Sequence, residues 1–151
     1  MNRILTILVG IPGSGKSTFA RQNAELYSGI KVFEADMYFT LDNGQYEFDP
    51  SKLHDAHAWC KIQVEQALVD GYDVFVSNTN LTKWERAAYI DIAKSVGDVD
   101  VRIVICTGTY KNIHNVPEEK IQQMKSRYEP PSADEFNEFN NQFIITNLID
   151  N

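Results

Sequence analysis

A doubly wound α/β fold with a mainly parallel, five-stranded sheet is what this sequence predicts, and three observations predict it. Short β-rich runs alternate with longer helical ones, the order of a strand, a crossover helix and a parallel strand. The first run, Ile4-Leu5-Thr6-Ile7-Leu8-Val9, is nearly continuous in apolar residues, as a central strand covered on both faces must be. A Gly-rich turn then joins this run to a helix beginning at Lys16.

The remaining elements follow in order. The helix is expected over Lys16 to Leu26, and Lys31-Val32-Phe33 reads as a second strand. Asp49-Pro50 supplies an N-cap and a first-turn proline for a helix that ends before Gly71. Asp73 to Ser77 reads as a third strand, Lys83 to Val96 as a helix, and Val101 to Cys106 as a fourth strand. Pro117 opens a further helix that Pro130-Pro131 stops, and Phe143 to Thr146 completes the five strands.

The chain has 151 residues, 43% of them apolar and 11% aromatic, enough for one core, so a single domain over residues 1–151 is expected. Its longest apolar run is broken by Thr6 and Gly10 and is too short to span a bilayer, and no small-residue cleavage site follows it. The chain therefore reads as cytoplasmic, with no membrane partner. Cys60 and Cys106 form neither a CxxC pair nor a disulfide framework and read as reduced packing residues. The net charge of −7 argues against a surface that coats nucleic acid. Five of the acids (Glu129, Asp134, Glu135, Glu138, Asp150) fall in the segment 129–151, which has no Lys or Arg, leaving residues 1–128 at −2. Just before it, Lys111, Lys120, Lys125 and Arg127 outnumber Glu118 and Glu119, so an anion can still be held locally.

The Gly-rich turn, Gly10-Ile11-Pro12-Gly13-Ser14-Gly15-Lys16-Ser17, matches GxxxxGK[ST] and lies between a buried strand and a helix, where its mechanism needs it. Gly10, Gly13 and Gly15 let backbone N–H groups point into one concavity, and the helix N-terminus running from Ser14 through Ser17 and Thr18 adds its positive dipole end. Lys16 is expected on the β- and γ-phosphates of a nucleoside triphosphate and the Ser17 hydroxyl on Mg²⁺. No N-K-x-D motif accompanies it, which argues against a regulatory GTPase, and the length leaves no room for the helical domain of a remodelling ATPase. A small phosphotransferase remains, needing an acceptor site, a base and a cation over the phosphates.

Asp36 follows the second strand at the carboxyl edge of the sheet, where it would accept the proton of an attacking hydroxyl or simply cap a turn. Tyr38, Phe39, Tyr46 and Phe48 read either as an aromatic wall for a base or sugar or as core, with at least half of them expected in the core. Ser77-Asn78-Thr79-Asn80 ends the third strand in amides and hydroxyls suited to orienting phosphate, metal-bound water or acceptor. Lys111 and Arg127 are candidates for closing on the triphosphate, and His114 reads better as solvated surface. His54 and His57 share one helix without further ligands at zinc spacing.

Together these residues resemble the kinase domain of bacteriophage polynucleotide kinase and its small relatives, within which the chain looks closest to the branch related to ubiquitin-ligase-binding P-loop proteins. The likeness runs from about Ile4 to Glu129. It is carried by Gly10 to Arg21, Ala35 to Phe39, Gly44 to Pro50, Ala56 to Trp59, Ser77 to Leu81 with Trp84-Glu85, Asn112 to Ile121, and Met124 to Glu129. The resemblance implies a P-loop NTPase fold using ATP and Mg²⁺, with Asp36 as the base that activates a polynucleotide 5′-hydroxyl. It also implies that Thr79 and Asn80 are polar contacts at the strand end. Three departures stand out: Phe39 replaces an acceptor-binding Arg, Ser77-Asn78 lacks the Asp of relatives, and Lys111 stands where an Arg is frequent. The expected function is transfer of the ATP γ-phosphoryl to a hydroxyl, with a nucleic-acid 5′ end as the leading acceptor. A kinase of a nucleoside or other small hydroxyl metabolite, and an ATP-binding switch with little catalysis, are the rivals.

Overall fold

The apolar character of the first run places it at the centre of the sheet. The computed structural model describes residues 2–40, 43–106, 116–132, 135 and 145–148. Strands β1 (Arg3–Val9), β2 (Ile30–Phe33), β3 (Asp73–Val76), β4 (Val99–Cys106) and β5 (Ile145–Leu148) form one sheet in the order β2-β3-β1-β4-β5. Every pair of neighbours is parallel. Helices α1 (Lys16–Leu26), α2 (Leu53–Val69), α3 (Lys83–Val96) and α4 (Glu118–Arg127) alternate with the strands, and the connection from β2 to α2 carries two 3₁₀ turns.

Strand β1 is flanked on both sides, with Ile7 opposite Val76 of β3 and Ile103 of β4. Alternate side chains go to opposite faces. Leu5, Ile7 and Val9 join α2 and α3 in the larger core cluster, which includes Ala56, Cys60, Val64, Tyr89 and Ile90. Leu8 goes to the α1 face with Ala20, Phe75, Val104 and Cys106. Thr6 is the polar exception in this strand, fully buried, and its hydroxyl accepts from the Arg102 guanidinium at 3.1–3.2 Å. Both cysteines are buried and free, as expected of packing residues.

The spans of α1 and α3 agree with the sequence pattern, and β1, β2, β3 and β4 differ from it by one or two residues. Strand β5 lies two residues beyond the expected Phe143 to Thr146, because its register on β4 runs from Ile103–Ile145 to Cys106–Leu148. The segment Ala35–Phe39 forms a 3₁₀ turn that periodicity does not reveal. Its first amide, that of Ala35, donates to the Asn78 side chain at 2.7 Å, a partner 43 residues away. No helix among the described residues is long and apolar enough to cross a membrane.

The start of the acidic segment is tied down by a buried cation. Arg86 on α3 is fully buried, and its guanidinium pairs with Glu135 through two hydrogen bonds of 2.8 and 2.9 Å. It also donates to the carbonyls of Asn80 and Glu129. Around it the Glu129 amide donates to Leu81 O, and the Glu129 carboxylate accepts from the Lys83 amide. Removing one member of such a set leaves buried charge and carbonyls unpaired. Arg86→Ala should therefore lower the unfolding free energy by about 3–5 kcal/mol in urea titrations, where a loss below about 1 kcal/mol would show that the ion pair holds nothing.

Candidate nucleotide site

The loop between β1 and α1 is shaped by two constraints on glycine. Gly15, with φ 98°, is the left-handed N-cap of α1, and Gly13 also has positive φ, at 84°; both conformations penalise a side chain. At Gly10 space is the limit instead. A Cβ there would collide with the Ser14 hydroxyl and lie 2.8 Å from the Cys106 carbonyl. The loop is then fastened to β3: Gly10 N donates to Thr79 O at 3.0 Å, and the Asn80 amide donates to Leu8 O at 2.8 Å.

Lys16 folds its ammonium back over this loop, donating to Gly10 O at 2.8 Å and Ile11 O at 2.9 Å. Burial lowers its pKa from 10.5 to about 8, opposed in part by Cys106 and the Glu34 carboxylate. A cation so poorly solvated gains most from a polyanion placed beside it. Ser14 is 3% exposed and its hydroxyl has no hydrogen-bond partner; the same holds for Ser77, 5% exposed, at the end of β3. Two such orphaned hydroxyls cost about 1–3 kcal/mol each unless a ligand or its water satisfies them.

Ser17, on the first turn of α1, donates its hydroxyl to Glu34 at 3.3 Å. Glu34 directly follows β2, and Ser77 directly follows β3; Ser77 N donates to Phe33 O at 2.8 Å, continuing the β2–β3 register past the last paired residues. The hydroxyl of Ser17 and the carboxylate of Glu34 bring together oxygens of the kind a hard divalent cation takes. Mg²⁺ therefore fits the residues present. No group of three or more His, Cys, Asp or Glu is placed to hold a metal by itself among the described residues.

Two residues further on, Asp36 lies in the 3₁₀ turn, half-buried, and accepts the Tyr46 hydroxyl at 3.0 Å. Burial and that bond push the Tyr46 phenol up to about 12. Asn78 positions the turn: it accepts from the Ala35 amide while its own amide donates to Tyr89 Oη at 3.1 Å. The end of this turn, Tyr38 and Phe39, lines a cavity of about 510 Å³ together with Glu47, Phe48, Asp49, Pro50 and Lys52.

Several expected site residues lie elsewhere than expected. Phe39 is only 4% exposed and packs edge-on against Tyr38, Tyr46 and Phe48, so it is a core anchor at the cavity floor rather than a free stacking ring. Of the four aromatics it alone is buried, fewer than the half expected in the core; Tyr38, Tyr46 and Phe48 are 38–50% exposed. Asn80 is 1% exposed with its amide spent on Leu8 O and Asn78 O, which corrects its reading as an acceptor contact. Its left-handed φ of 48° shows the sharpness of the turn it makes. Thr79 is half-buried beside the loop it fastens. Arg127 is exposed in the last turn of α4, and no hydrogen bond or ion pair among the described residues joins it to the phosphate loop. Lys111 and His114 lie outside the described residues. Sequence reasoning missed Glu34 and Arg86, and it read Asn78 as a ligand contact where the structure spends it on the Ala35 turn; the only available signal for Glu34 was its place, one residue past a strand on the edge where Asp36 was sought.

A phosphate loop after the central strand, a desolvated lysine within it and carboxylates at the end of the next strand define a P-loop, kinase-like nucleotide-binding domain. Residues 5–131 match the model of the AAA domain family, and the chain belongs to that family. It is 34% identical over 135 residues to NEDD4-binding protein 2 of Homo sapiens, a match covering 83% of this chain and 8% of that protein. The chain thus spans a small fraction of that relative. Among solved structures, a chain of the Pnkp1/Rnl/Hen1 complex superposes with a TM-score of 0.59 at 20% identity, covering 93% of this chain and 44% of the other. Kti12 of Chaetomium thermophilum in complex with ADP-AlF3 gives 0.67 at 16% identity, covering 95% and 88%. Likenesses at these identities establish the fold, a parallel α/β sheet of P-loop type.

Two outcomes follow for the loop. Lys16→Ala should abolish or severely weaken ATP binding in calorimetric titrations while the thermal transition persists; unchanged affinity would remove the phosphate-loop assignment. A bound triphosphate raises the pKa of Lys16 above about 8, so between that pH and the higher bound value the complex carries a proton that the free protein lacks. ATP binding above pH 8 should take up protons and weaken as pH rises. Titrations in buffers of different ionisation enthalpy read this uptake, and Lys16→Met should abolish it.

Proposed function

We propose that this chain transfers the γ-phosphoryl group of Mg-ATP to a hydroxyl, with a polynucleotide 5′-hydroxyl as the leading acceptor. The observation that carries the reading is the split of two carboxylates at the end of β2: Glu34 turns to Ser17 in the phosphate loop, and Asp36 turns to the hydroxyl of Tyr46, whose ring packs on Phe39 of the aromatic cavity lining. A base on the acceptor side of a phosphate site is what transfer to a hydroxyl requires. Two similar structures support this: one is an RNA repair complex containing Pnkp1, the other is Kti12 in complex with ADP-AlF3.

In this reading the amides of Gly13 to Thr18 and the Lys16 ammonium hold the β- and γ-phosphates. Mg²⁺ supplies charge neutralisation there when the nucleotide is bound. Asp36 accepts the acceptor's proton as its oxygen bonds to the γ-phosphorus, the bond from phosphorus to the β–γ bridging oxygen breaks, and ADP leaves. Tyr46 orients the Asp36 carboxylate through its hydroxyl. Lys111 and Arg127 are the candidates for neutralising charge on the phosphates. Exposed Tyr38, Tyr46 and Phe48 offer stacking surface for a terminal nucleoside, worth about 1–3 kcal/mol per base.

One observation favours a second reading. Glu47 and Asp49 line the cavity with only Lys52 to offset them, a lining that suits a neutral nucleoside or small alcohol better than a phosphate-bearing strand. Labelled transfer from γ-³²P-ATP to 5′-hydroxyl oligonucleotides, free nucleosides and small alcohols separates the two. Oligonucleotides should be the better acceptors; faster transfer to nucleosides establishes the second reading, and no transfer at all removes the kinase assignment. Asp36→Asn should leave ATP affinity within a few-fold and lower transfer by about 10²-fold or more. Transfer at the wild-type rate would reduce Asp36 to a turn residue.

A further inference from the structure

We propose that Glu34 and Ser77 together form the cation-facing wall of the nucleotide site and order the hydration of the Mg²⁺ that arrives with ATP. The carboxylate of this wall is thus carried by the end of β2 instead of the end of β3. The proposal rests on the phosphate-loop reading of residues 10–18 and extends it to the metal.

Three observations meet at one place. The register pairs Val32 with Phe75, and Phe75 with Thr6, so continuing it by two residues sets Glu34, Ser77 and Leu8 at one level on the same face of the sheet. That face is the one packed by α1, since Leu8 and Phe75 share their cluster with Ala20. Ser17 on the first turn of α1 reaches Glu34 across this level. Ser77 Oγ is buried there without a partner.

The hydrogen-bond chemistry favours a cation. A hydroxyl has one proton and two lone pairs. Ser17 gives its proton to Glu34, which leaves both lone pairs of its oxygen for a metal ion. Ser77 Oγ has its whole capacity unused, in a place closed to bulk water, and a water carried by the ion satisfies it. P-loop enzymes that hold Mg²⁺ through the loop hydroxyl place a carboxylate on the opposite wall, most often at the strand neighbouring β1. Here that strand end is Ser77-Asn78, with Asn78 committed to the Ala35 turn, Tyr89 and Cys60. Glu34 fills the role from one strand further out, and Asp36, facing Tyr46, is left for the acceptor.

The test measures ATP and ADP binding to the wild type, Glu34→Gln, Ser77→Ala and the double variant Glu34→Gln with Ser77→Asp. Each is titrated with excess Mg²⁺ and again with EDTA, so the readout needs no turnover. Gln matches Glu in shape, and melting curves confirm that each variant folds. Glu34→Gln should bind metal-free nucleotide as well as the wild type or better, because a carboxylate near the polyphosphate is gone. Its Mg²⁺-dependent gain in affinity should fall by about tenfold or more, with a smaller loss for Ser77→Ala. The double variant returns a carboxylate to the same level one strand inward and should recover the gain. With Mn²⁺ in place of Mg²⁺, the paramagnetic resonance lines of the nucleotide complex should change in Glu34→Gln. An unaltered Mg²⁺-dependent gain in Glu34→Gln overturns the proposal alone. Equal losses with and without metal also overturn it, showing that Glu34 only braces α1. Absence of nucleotide binding in the wild type overturns the loop reading and this proposal with it.

Discussion

The hydrogen bonds that continue the β1–β3 pairing past the end of the sheet are what the ligand end of this protein depends on. Gly10 N to Thr79 O and the Asn80 amide to Leu8 O hold the first residue of the phosphate loop against the turn that follows β3. Without them the loop would leave the sheet at an undefined angle, and the direction of α1 with it. With them, the loop amides and the Ser17 hydroxyl take fixed places beside the strand-end residue Glu34. The close approach of Gly10 to the Cys106 carbonyl adds β4 to the same frame.

Within that frame the charges are arranged against one another. Lys16 is desolvated and partly stripped of its proton preference, yet it lies close enough to Glu34 for the carboxylate to sustain it. A molecule with a net charge of −7 that binds a polyanion needs such local arrangement, since its long-range field is unfavourable. The buried cation, the loop dipoles and the helix N-terminus act at short range in a medium of low dielectric, where they outweigh distant acids screened by solvent. The acidic residues Glu129 and Glu135 are moreover held by Arg86 and backbone amides.

Asn78 links the two halves of the site. Its carbonyl oxygen takes the Ala35 amide and so sets the 3₁₀ turn, while its own amide is held by the Tyr89 hydroxyl and the Cys60 thiol in the core between α2 and α3. The turn brings Glu34 to face α1 and Asp36 to face Tyr46 two residues later. Phe39 closes the turn by inserting into the core, where it anchors the aromatic residues that line the outer cavity. A half-buried amide fully used in this way costs little and specifies the turn, because any other backbone path leaves its bonding groups unpaired.

The local pattern of residues by itself determined the alternation of strands and helices, the central place of β1 and the phosphate loop with Lys16 and Ser17. Each of these is written in neighbouring residues: continuous apolar character, glycines where φ is positive, and a lysine one position past the helix cap. The family likeness from about Ile4 to Glu129 was legible for the same reason. What only the tertiary structure decided involves partners far apart in the chain. Phe39 reads equally as a wall or as core until its burial is known, and Asn80 reads as a contact until its amide is found on Leu8. Glu34 has no local pattern at all; its meaning comes from Ser17, 17 residues before it, and from Ser77, 43 residues after it, brought to one level by the parallel register. Arg86 and Glu135, separated by 49 residues, are likewise unremarkable surface-type residues until burial forces them to pair. Polar residues acquire a role from what surrounds them, because burial makes every unpaired donor and charge costly and so dictates the partner.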